Sequence, residues 1–267
     1  MKHSNIHTHT VFSDGRYTPE ENVLEAIKRN MVSIGFSDHS YTEFDLRFGI
    51  RPVNTTAYIR EIRRLQHKYK DQIEIYLGLE LDGFSKLENR ELYDYIIGDC
   101  HYIKIGDEYF TVDDSRAEQQ EVIDKYFGGN PLGYAKAYFD IYTEKTIQNK
   151  PDVLGHFDLA AKFDLVDEES AAYRKMATEA LVECLKITPF IEVNTGPICR
   201  RVRKVPYPTE FILKEILARG GKVLLSSDSH ETENMEFYFD ETVELLKSVG
   251  FKSIVQLKGG SFAEVGI

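Results

Sequence analysis

Short apolar runs alternate with amphipathic segments along the chain, and this alternation limits the possible folds more than any other feature of the sequence. Seven runs are typical of buried parallel strands, at 5–15 (with its turn), 32–39, 73–80, 95–101, 153–158, 190–195 and 222–230. Helix-like segments separate most of them, at about 19–30, 55–70, 168–186, 208–218 and 238–249. Strands that alternate with helices predict βα units and a parallel sheet. The sequence therefore predicts an α/β fold, a TIM-like (β/α)7 barrel.

The chain is long for one domain, but a barrel of this kind accommodates its length. It has 267 residues, and α/β barrels of about 250 residues commonly form one domain around one core. We therefore expect residues 1–267 to form a single domain. The segment 104–150 is the least regular part, with turn signals at 106–107 and 128–131 around two predicted helices. We predict that this segment is an insertion or a lid.

Charge and composition argue against several kinds of partner. The formal net charge of −11 opposes non-specific attraction to a phosphate polymer, so we expect no nucleic-acid partner. The chain has no run of about 18 apolar residues and no apolar leader, so we expect a cytoplasmic protein without a membrane segment. Its cysteines are widely spaced and lack a CxxC pair, which indicates neither a disulfide framework nor a thiolate metal site. The oligomeric state stays open.

Potential metal ligands stand at the ends of six of the seven predicted strands. Six of the eight histidines lie at these ends: His7, His9, His39, His101, His156 and His230. The carboxyl ends of the strands of a parallel barrel meet at one face, where the active site forms. His7 and His9 are two residues apart in an extended segment, so their side chains project to the same side. The sequence therefore predicts a metal site at this face, built from imidazoles and carboxylates.

Several stretches of the sequence resemble the motifs of the polymerase-and-histidinol-phosphatase (PHP) superfamily. They are the opening HTHT-x-x-SDG at 7–15, the SDH at 37–39, the strand ends with Glu80, His101 and His156, and the closing SDSH at 227–230. The resemblance covers nearly the whole chain. It implies the PHP fold, a single distorted (β/α)7 barrel with three divalent metal ions at the carboxyl ends of its strands.

The resemblance also implies how nine ligands divide among the three metals. One metal would be held by His7, His9, Glu80 and Asp228, a second by Glu80, His101 and His156, and a third by Asp14, His39 and His230. Some relatives have histidine at the position of Asp14, so the identity and the occupancy of the third metal ion stay open. Zinc suits the imidazole-rich set, and manganese or iron suits the carboxylates equally well. We expect Asp38 and Asp99 to orient the histidines through hydrogen bonds.

The implied chemistry is the hydrolysis of a phosphomonoester. Three divalent cations and three carboxylate ligands leave a local charge of about +3, which gives an acidic protein a site for phosphate. A hydroxide that bridges two metals would attack phosphorus directly. Asp228 and His230 are our candidates for handling the water or leaving-group proton while they remain ligands.

Within the superfamily, the chain resembles the stand-alone histidinol-phosphate phosphatases of histidine biosynthesis. Its single-domain length and its segment 194–208 are similar to that subgroup. We expect Arg200 to bind the phosphate of this small-molecule substrate, because a guanidinium offers paired donors to the oxygens. The amine and imidazole of histidinol phosphate favour an acidic or hydroxyl neighbour, for which Asp158, Tyr17 and Glu43 are candidates.

Three other functions stay open at this point. Another PHP phosphoesterase, acting on phosphotyrosine, a nucleotide or an oligonucleotide end, would use the same metals with different pocket walls. An amidohydrolase barrel, such as a deaminase, also opens with HxH, but it normally closes on a lone aspartate rather than on Asp228-Ser229-His230. A non-catalytic PHP module would have no need for six converging imidazoles.

Overall fold

The computed structural model describes residues 1–267 and contains eleven strands and eight α-helices. The strands are β1 (Ser4–Asn5), β2 (Ser33–Phe36), β3 (Glu74–Asp82), β4 (Tyr95–Asp99), β5 (Tyr102–Ile105), β6 (Glu108–Thr111), β7 (Val153–Leu154), β8 (Phe190–Asn194), β9 (Lys222–Ser226), β10 (Ser253–Lys258) and β11 (Ser261–Gly266). The helices are α1 (Pro19–Lys28), α2 (Pro52–Tyr69), α3 (Arg116–Phe127), α4 (Pro131–Asn149), α5 (Ala171–Leu185), α6 (Gly196–Cys199), α7 (Glu210–Ala218) and α8 (Phe239–Val249). Strands and helices thus alternate along most of the chain.

Nine of the strands form one curled sheet in the order β1-β2-β3-β4-β7-β8-β9-β10-β11. Neighbours from β1 to β10 are parallel, and β11 runs antiparallel to β10. Backbone hydrogen bonds join the residues after β1 to those after β9. The amide of His9 donates to the carbonyl of Ser229 at 2.9 Å, and the amide of Ser229 donates to the carbonyl of His7 at 3.2 Å. The prediction of a distorted TIM-like barrel is confirmed.

A buried tyrosine crosses the interior of the barrel. The hydroxyl of Tyr95, on β4, donates to the carbonyl of Ile6, just after β1. Because β1 and β4 are not neighbours in the sheet, this contact spans the space between them. Gly35 and Gly78 leave room for the ring of Tyr95, since a side chain at either position would overlap it. The interior is therefore filled rather than open, as in other barrels of this class.

The structure has more strands than the seven that the sequence predicts. Near the end of the chain, an apolar run at 253–257 forms most of β10, which is an eighth parallel strand. A Gly259-Gly260 turn then leads into the antiparallel β11. The predicted turn at 106–107 connects β5 and β6, which form a separate two-stranded hairpin. These extra strands at the end of the chain and in the hairpin are partly exposed, so no continuous apolar run marks β6 or β11 in the sequence.

The segment 104–150 has two structurally different parts. Helix α4 buries Tyr138, Phe139 and Tyr142 in the largest hydrophobic cluster, where α4 packs against α5 and β4. This helix forms part of the crossover between the parallel strands β4 and β7. That the segment is an insertion stays a prediction. The hairpin and the residues that follow it instead border the cavity at the carboxyl ends of the strands. That this part moves as a lid stays a prediction.

The helices begin where the sequence carries start signals. Thr18 and Glu21 form a capping box at the first turn of α1, with Pro19 at its first position. Helix α2 begins at Pro52, earlier than the predicted start near 55, because proline is preorganised for the first helical turn. None of the helices combines the length and the apolar character needed to cross a lipid bilayer.

Candidate metal centre

Glu80 lies at the centre of a cluster of imidazoles at the carboxyl ends of the strands. Its side chain, on β3, is 1% exposed. Its carboxylate oxygens lie within 3.7 Å of ring nitrogens of five histidines: His7, His9, His39, His101 and His156. These histidines follow β1, β2, β4 and β7, so the closure of the sheet gathers residues that are far apart in the sequence.

Backbone hydrogen bonds extend the pairing of β2 and β3 beyond the end of β2. The amide of Glu80 donates to the carbonyl of Asp38 at 3.2 Å, and the amide of Ser40 donates to the carbonyl of Glu80 at 2.8 Å. This pairing sets His39 directly opposite Glu80 on the neighbouring segment of the chain. As a result, Nδ1 of His39 lies 2.6 Å from Oε2 of Glu80.

The donor atoms form three overlapping groups with the spacing of metal ligands. The groups are His7, His9 and Glu80; Glu80, Asp99, His101 and His156; and His9, Asp14, His39 and His230. Within each group the donor atoms lie within 4.8 Å of one another. Asp228 lies beside the first group, because its Oδ1 is 3.1 Å from Nε2 of His9. The structure thus brings together the nine residues that the sequence singles out as ligands, and it adds Asp99 to them.

Several of these donor atoms face one another without a hydrogen bond. Nε2 of His7, both ring nitrogens of His9 and Oε2 of Glu80 are buried and have no hydrogen-bond partner. Buried polar atoms are normally paired, so an unpaired set of this size requires a physical reason. Imidazole nitrogens and carboxylate oxygens that converge on one another are the donor set that divalent transition metals prefer. The residues therefore fit one or more divalent metal ions.

The charge balance of the cluster also fits a bound cation. Burial and the neighbouring carboxylate of Glu80 raise the pKa of Asp99 to about 8. Burial alone would lower the pKa of His7, but the carboxylates of Glu192 and Glu80 raise it well above its usual value. A positive ion among these groups would favour ionised carboxylates and neutral imidazoles at the same time.

Glu192, on β8, is a functional residue that the sequence reasoning missed. Its side chain is fully buried, and its Oε2 lies 2.7 Å from Nδ1 of His7. It also accepts hydrogen bonds from the amide of His156 at 2.6 Å and from the hydroxyl of Ser226 at 2.7 Å. A carboxylate on the second nitrogen of a metal-binding histidine fixes the ring and its tautomer. The available signal was a lone acidic residue within a strand that otherwise reads as buried.

The two carboxylates predicted to orient histidines have different surroundings. Oδ1 of Asp99 lies 3.2 Å from Nδ1 of His101 but makes no hydrogen bond with it, so its orienting role stays a prediction. Asp38 contacts no histidine and instead accepts hydrogen bonds from the amide of Thr10 at 2.8 Å and the hydroxyl of Ser13 at 2.6 Å. This differs from the prediction because the turn after β1 brings its own donors closer to Asp38. Asp38 therefore holds the turn that carries Asp14.

The donor groups open into a cavity of about 590 Å³ that carries three cationic side chains. Arg16 is largely exposed and pairs with Glu231. Arg200 lines the cavity, and its Nη2 donates to Oδ2 of Asp228 at 2.8 Å. Lys162 also lines it and lies 3.0 Å from Oδ2 of Asp113. The sequence reasoning did not single out Lys162, because no motif marks the loop after β7. The cavity thus combines candidate metal ligands with groups suited to phosphate oxygens.

Three predicted substrate contacts do not line this cavity. The hydroxyl of Tyr17 donates to Glu233 at 3.3 Å on the exposed surface. Glu43 lines a separate cavity beside the start of α2. Asp158 is completely buried and accepts a hydrogen bond from the amide of Thr209 at 2.9 Å. Their positions depend on the turns after each strand, which strand spacing does not specify.

This protein is a parallel barrel that gathers imidazoles and carboxylates at the ends of its strands, beside cationic side chains that suit a phosphate group. These features define a class of metal-dependent barrel proteins. The family described as the PHP domain matches residues 5–196. The chain belongs to the PHP domain family. The predicted resemblance to the PHP superfamily is thereby confirmed, and the match includes the HTHT and SDH motifs.

Known relatives cover nearly the whole chain. The histidinol-phosphatase of Lactococcus lactis is 26% identical over an alignment of 282 positions, gaps included, which spans 97% of this chain and 96% of the relative. The histidinol-phosphatase of Bacillus subtilis is 22% identical over 267 residues, which span 91% of this chain and 99% of the relative. The crystal structure of the Lactococcus lactis histidinol phosphate phosphatase, complexed with zinc, L-histidinol and phosphate, is similar to this chain with a TM-score of 0.73. It is 23% identical and covers 98% of this chain and 99% of that one.

Proposed function

We propose that the protein is a metal-dependent phosphomonoester hydrolase that converts L-histidinol phosphate and water to L-histidinol and phosphate. The observation that carries the proposal is the convergence of the candidate metal ligands beside Arg200 and Lys162 in one cavity. The names of the relatives, and the L-histidinol and phosphate in the Lactococcus lactis structure, support this choice of substrate. The reaction would belong to histidine biosynthesis in the cytoplasm.

We propose three divalent ions, with zinc as the best match for the imidazole-rich donor set. They would be held by His7, His9, Glu80 and Asp228; by Glu80, His101 and His156; and by Asp14, His39 and His230. When bound, the ions would supply Lewis acidity for the phosphoryl oxygens and a lowered pKa for a bound water. Glu192 would keep Nε2 of His7 available by accepting a hydrogen bond from the N–H group at Nδ1.

The cationic side chains of the cavity would bind and orient the phosphate. The guanidinium of Arg200 lies at the cavity surface. It pairs with Asp228 and still has N–H groups free to donate to a ligand. Lys162 adds a point charge from the loop after β7. Both cations would compensate the negative charge of the phosphate while the alcohol portion extends toward the rest of the cavity.

Asp228 and His230 remain our candidates for handling the proton of the attacking water or of the leaving alcohol while they remain ligands. Despite burial, Arg200 and His7 hold the pKa of Asp228 well below its usual value, which favours a carboxylate that accepts a hydrogen bond. His230 lies beside it, with Nδ1 3.0 Å from the carbonyl oxygen of Asp228 and Nε2 3.2 Å from Oδ2 of Asp14.

A panel of phosphomonoesters tests the proposed function. Phosphate release by zinc-loaded protein is measured with L-histidinol phosphate, phosphotyrosine, nucleotides and short oligonucleotides. We expect the highest kcat/KM for histidinol phosphate. A preference for another substrate by more than about tenfold, roughly 1.4 kcal/mol in transition-state stabilisation, would contradict the substrate assignment and favour another PHP phosphoesterase.

A further inference from the structure

One wall of the metal-centre cavity carries none of the predicted metal ligands. It is formed by residues 42–48 of the loop between β2 and α2 and by the β5–β6 hairpin with the residues after it. The side chains that this wall presents to the cavity are Thr42, Asp45, Phe48, Tyr102, Thr111, Asp113 and Asp114. This wall carries the three carboxylates Asp45, Asp113 and Asp114, which pair with only two basic side chains, Arg47 and Lys162. The wall therefore keeps an excess of acidic groups.

Two adjacent aspartates on this wall have unused hydrogen-bonding capacity. Asp113 and Asp114 follow β6 directly. Oδ2 of Asp113 accepts from Lys162 at 3.0 Å, and Oδ2 of Asp114 accepts from Arg47 at 2.6 Å. No hydrogen bond reaches Oδ1 of either residue. Each carboxylate is therefore held in place by one basic side chain and retains an oxygen for a second cationic donor.

The same wall presents two aromatic rings to the cavity. Phe48 and Tyr102 are its aromatic lining residues. The hydroxyl of Tyr102 donates to Asp45 at 3.0 Å, and its ring lies edge-on to Phe44 with 4.9 Å between the centroids. The guanidinium of Arg47 lies 4.8 Å from the centroid of Phe48. Tyr102 is thus anchored by Asp45 of the same wall, and Phe48 is packed by Arg47, which leaves preorganised aromatic surface facing the cavity.

A carboxylate pair beside aromatic faces is suited to an organic cation. Ammonium groups bind carboxylate oxygens through charge-assisted hydrogen bonds, and charged or neutral heteroaromatic rings pack on phenyl faces. We propose that Asp113 and Asp114 determine substrate specificity by binding the ammonium group of the leaving alcohol, while Phe48 and Tyr102 pack against its imidazole. This inference rests on the proposed function and extends it: the enzyme selects phosphomonoesters whose alcohol carries an amine next to the ester.

Substrate truncation tests the inference independently of overall activity. The two substrates are L-histidinol phosphate and 3-(imidazol-4-yl)propyl phosphate, which lacks only the amine. For the zinc-loaded wild type we expect kcat/KM to be at least about tenfold higher for the aminated substrate. In Asp113→Asn and Asp114→Asn, which keep the size of the side chain, we expect this ratio to fall below about threefold in one variant or both. Asp107→Asn, on the exposed hairpin turn and outside the cavity, is the matched control and should keep the wild-type ratio.

The outcomes separate the inference from the proposed function. A ratio that stays at the wild-type value in both variants, whatever their absolute rates, would overturn the role of the two aspartates. A wild type that hydrolyses both substrates equally well would overturn it too, while leaving a phosphatase of histidinol phosphate intact. A wild type that releases no phosphate from histidinol phosphate would overturn the proposed function and, with it, this inference.

Discussion

The environment of Glu192 explains how single residues prepare the centre for metal ions. This carboxylate contacts Nδ1 of His7 and the amide of His156, so it touches ligands of two proposed ions. Burial would raise the pKa of Glu192, but His7 and His156 lower it below its usual value. The ionised carboxylate therefore fixes one tautomer of His7 and directs Nε2 of that ring toward Glu80.

We expect Glu192→Gln to weaken zinc binding by about 10- to 100-fold, because glutamine removes the charge that orients His7. Zinc affinity is measured by competition with a chromophoric chelator, and circular dichroism of the metal-free protein reports the fold. Glu91→Gln, at an exposed position, is the control and should keep the wild-type affinity. Unchanged zinc affinity in a folded Glu192→Gln protein would contradict the role of this residue.

We expect zinc binding to release protons and to strengthen as the pH rises. In the metal-free protein, burial would lower the pKa values of His7, His39 and His101, but neighbouring carboxylates raise them well above 6.5. The raised pKa values favour the protonated rings, so we expect metal binding to displace protons from them.

Calorimetry in buffers of different ionisation enthalpy measures this proton release. More than about one proton per chain should be released at pH 7, and the apparent zinc affinity should fall steadily from pH 8 to pH 6. Burial and the nearby rings of His230 and His39 lower the pKa of His9 to about 4, so this ring contributes no proton. Binding without proton release, or binding that strengthens toward pH 6, would contradict the assignment of these histidines as ligands.

At the scale of elements, helix α4 connects the core to the metal centre. The hydroxyl of Tyr142 donates to the carbonyl of Gly155 at 2.6 Å and approaches that of Gly98 at 3.3 Å. These glycines lie just before His156 and His101 at the ends of β7 and β4. Helix α4 shows little contrast between its faces in the sequence, because its buried stripe is made largely of tyrosines while an apolar residue, Ile147, lies exposed outside it.

We expect Tyr142→Phe to lower the free energy of unfolding by about 1–2 kcal/mol, because it leaves buried carbonyls with less hydrogen bonding. Urea denaturation at a fixed zinc concentration measures the change. Tyr126→Phe removes a hydroxyl that contacts Glu108 at the exposed surface, so it should change stability by less than about 0.5 kcal/mol. Equal effects of the two substitutions would show that Tyr142 does not couple the helix to the strand ends.

Periodicity predicted the buried elements better than the exposed ones. The runs at 32–39 and 222–230 contain β2 and β9, and the run at 73–80 contains most of β3, because strands covered on both sides are continuously apolar. The clustered histidines lie two to four residues beyond the strands that precede them, where side chains reach the cavity. The hairpin β5–β6 and strand β11 were missed because they are short and partly exposed, so their apolar content is low.

At the scale of the whole molecule, the site is predictable where the fold alone assembles it. Any parallel barrel brings the ends of its strands together, so ligands such as His7 and Asp228 could be inferred from their positions in the sequence. Contacts between loops follow no such rule. The pairing of Arg47 with Asp114, and the burial of Asp158 away from the cavity, depend on loop conformations that the linear sequence does not specify.

We expect metal removal to destabilise the entire chain. Ligands from strands throughout the barrel would be linked through the ions, and ions that bind only the folded state shift the folding equilibrium. Zinc at about 100-fold above its Kd would add about 2.7 kcal/mol per site, which corresponds to a rise in Tm of roughly 5 °C or more. Differential scanning calorimetry of zinc-loaded and chelator-treated protein measures the shift, and equal Tm values would contradict metal binding by the folded centre.

Phosphate release from L-histidinol phosphate, measured before and after removal of metal with a chelator and again after addition of zinc, tests the central claim most directly. We expect turnover by the loaded protein, loss of at least about 99% of it after chelation, and recovery with zinc, since the ions would provide most of the transition-state stabilisation. Turnover that survives complete metal removal, or its absence in zinc-loaded folded protein, would contradict the account.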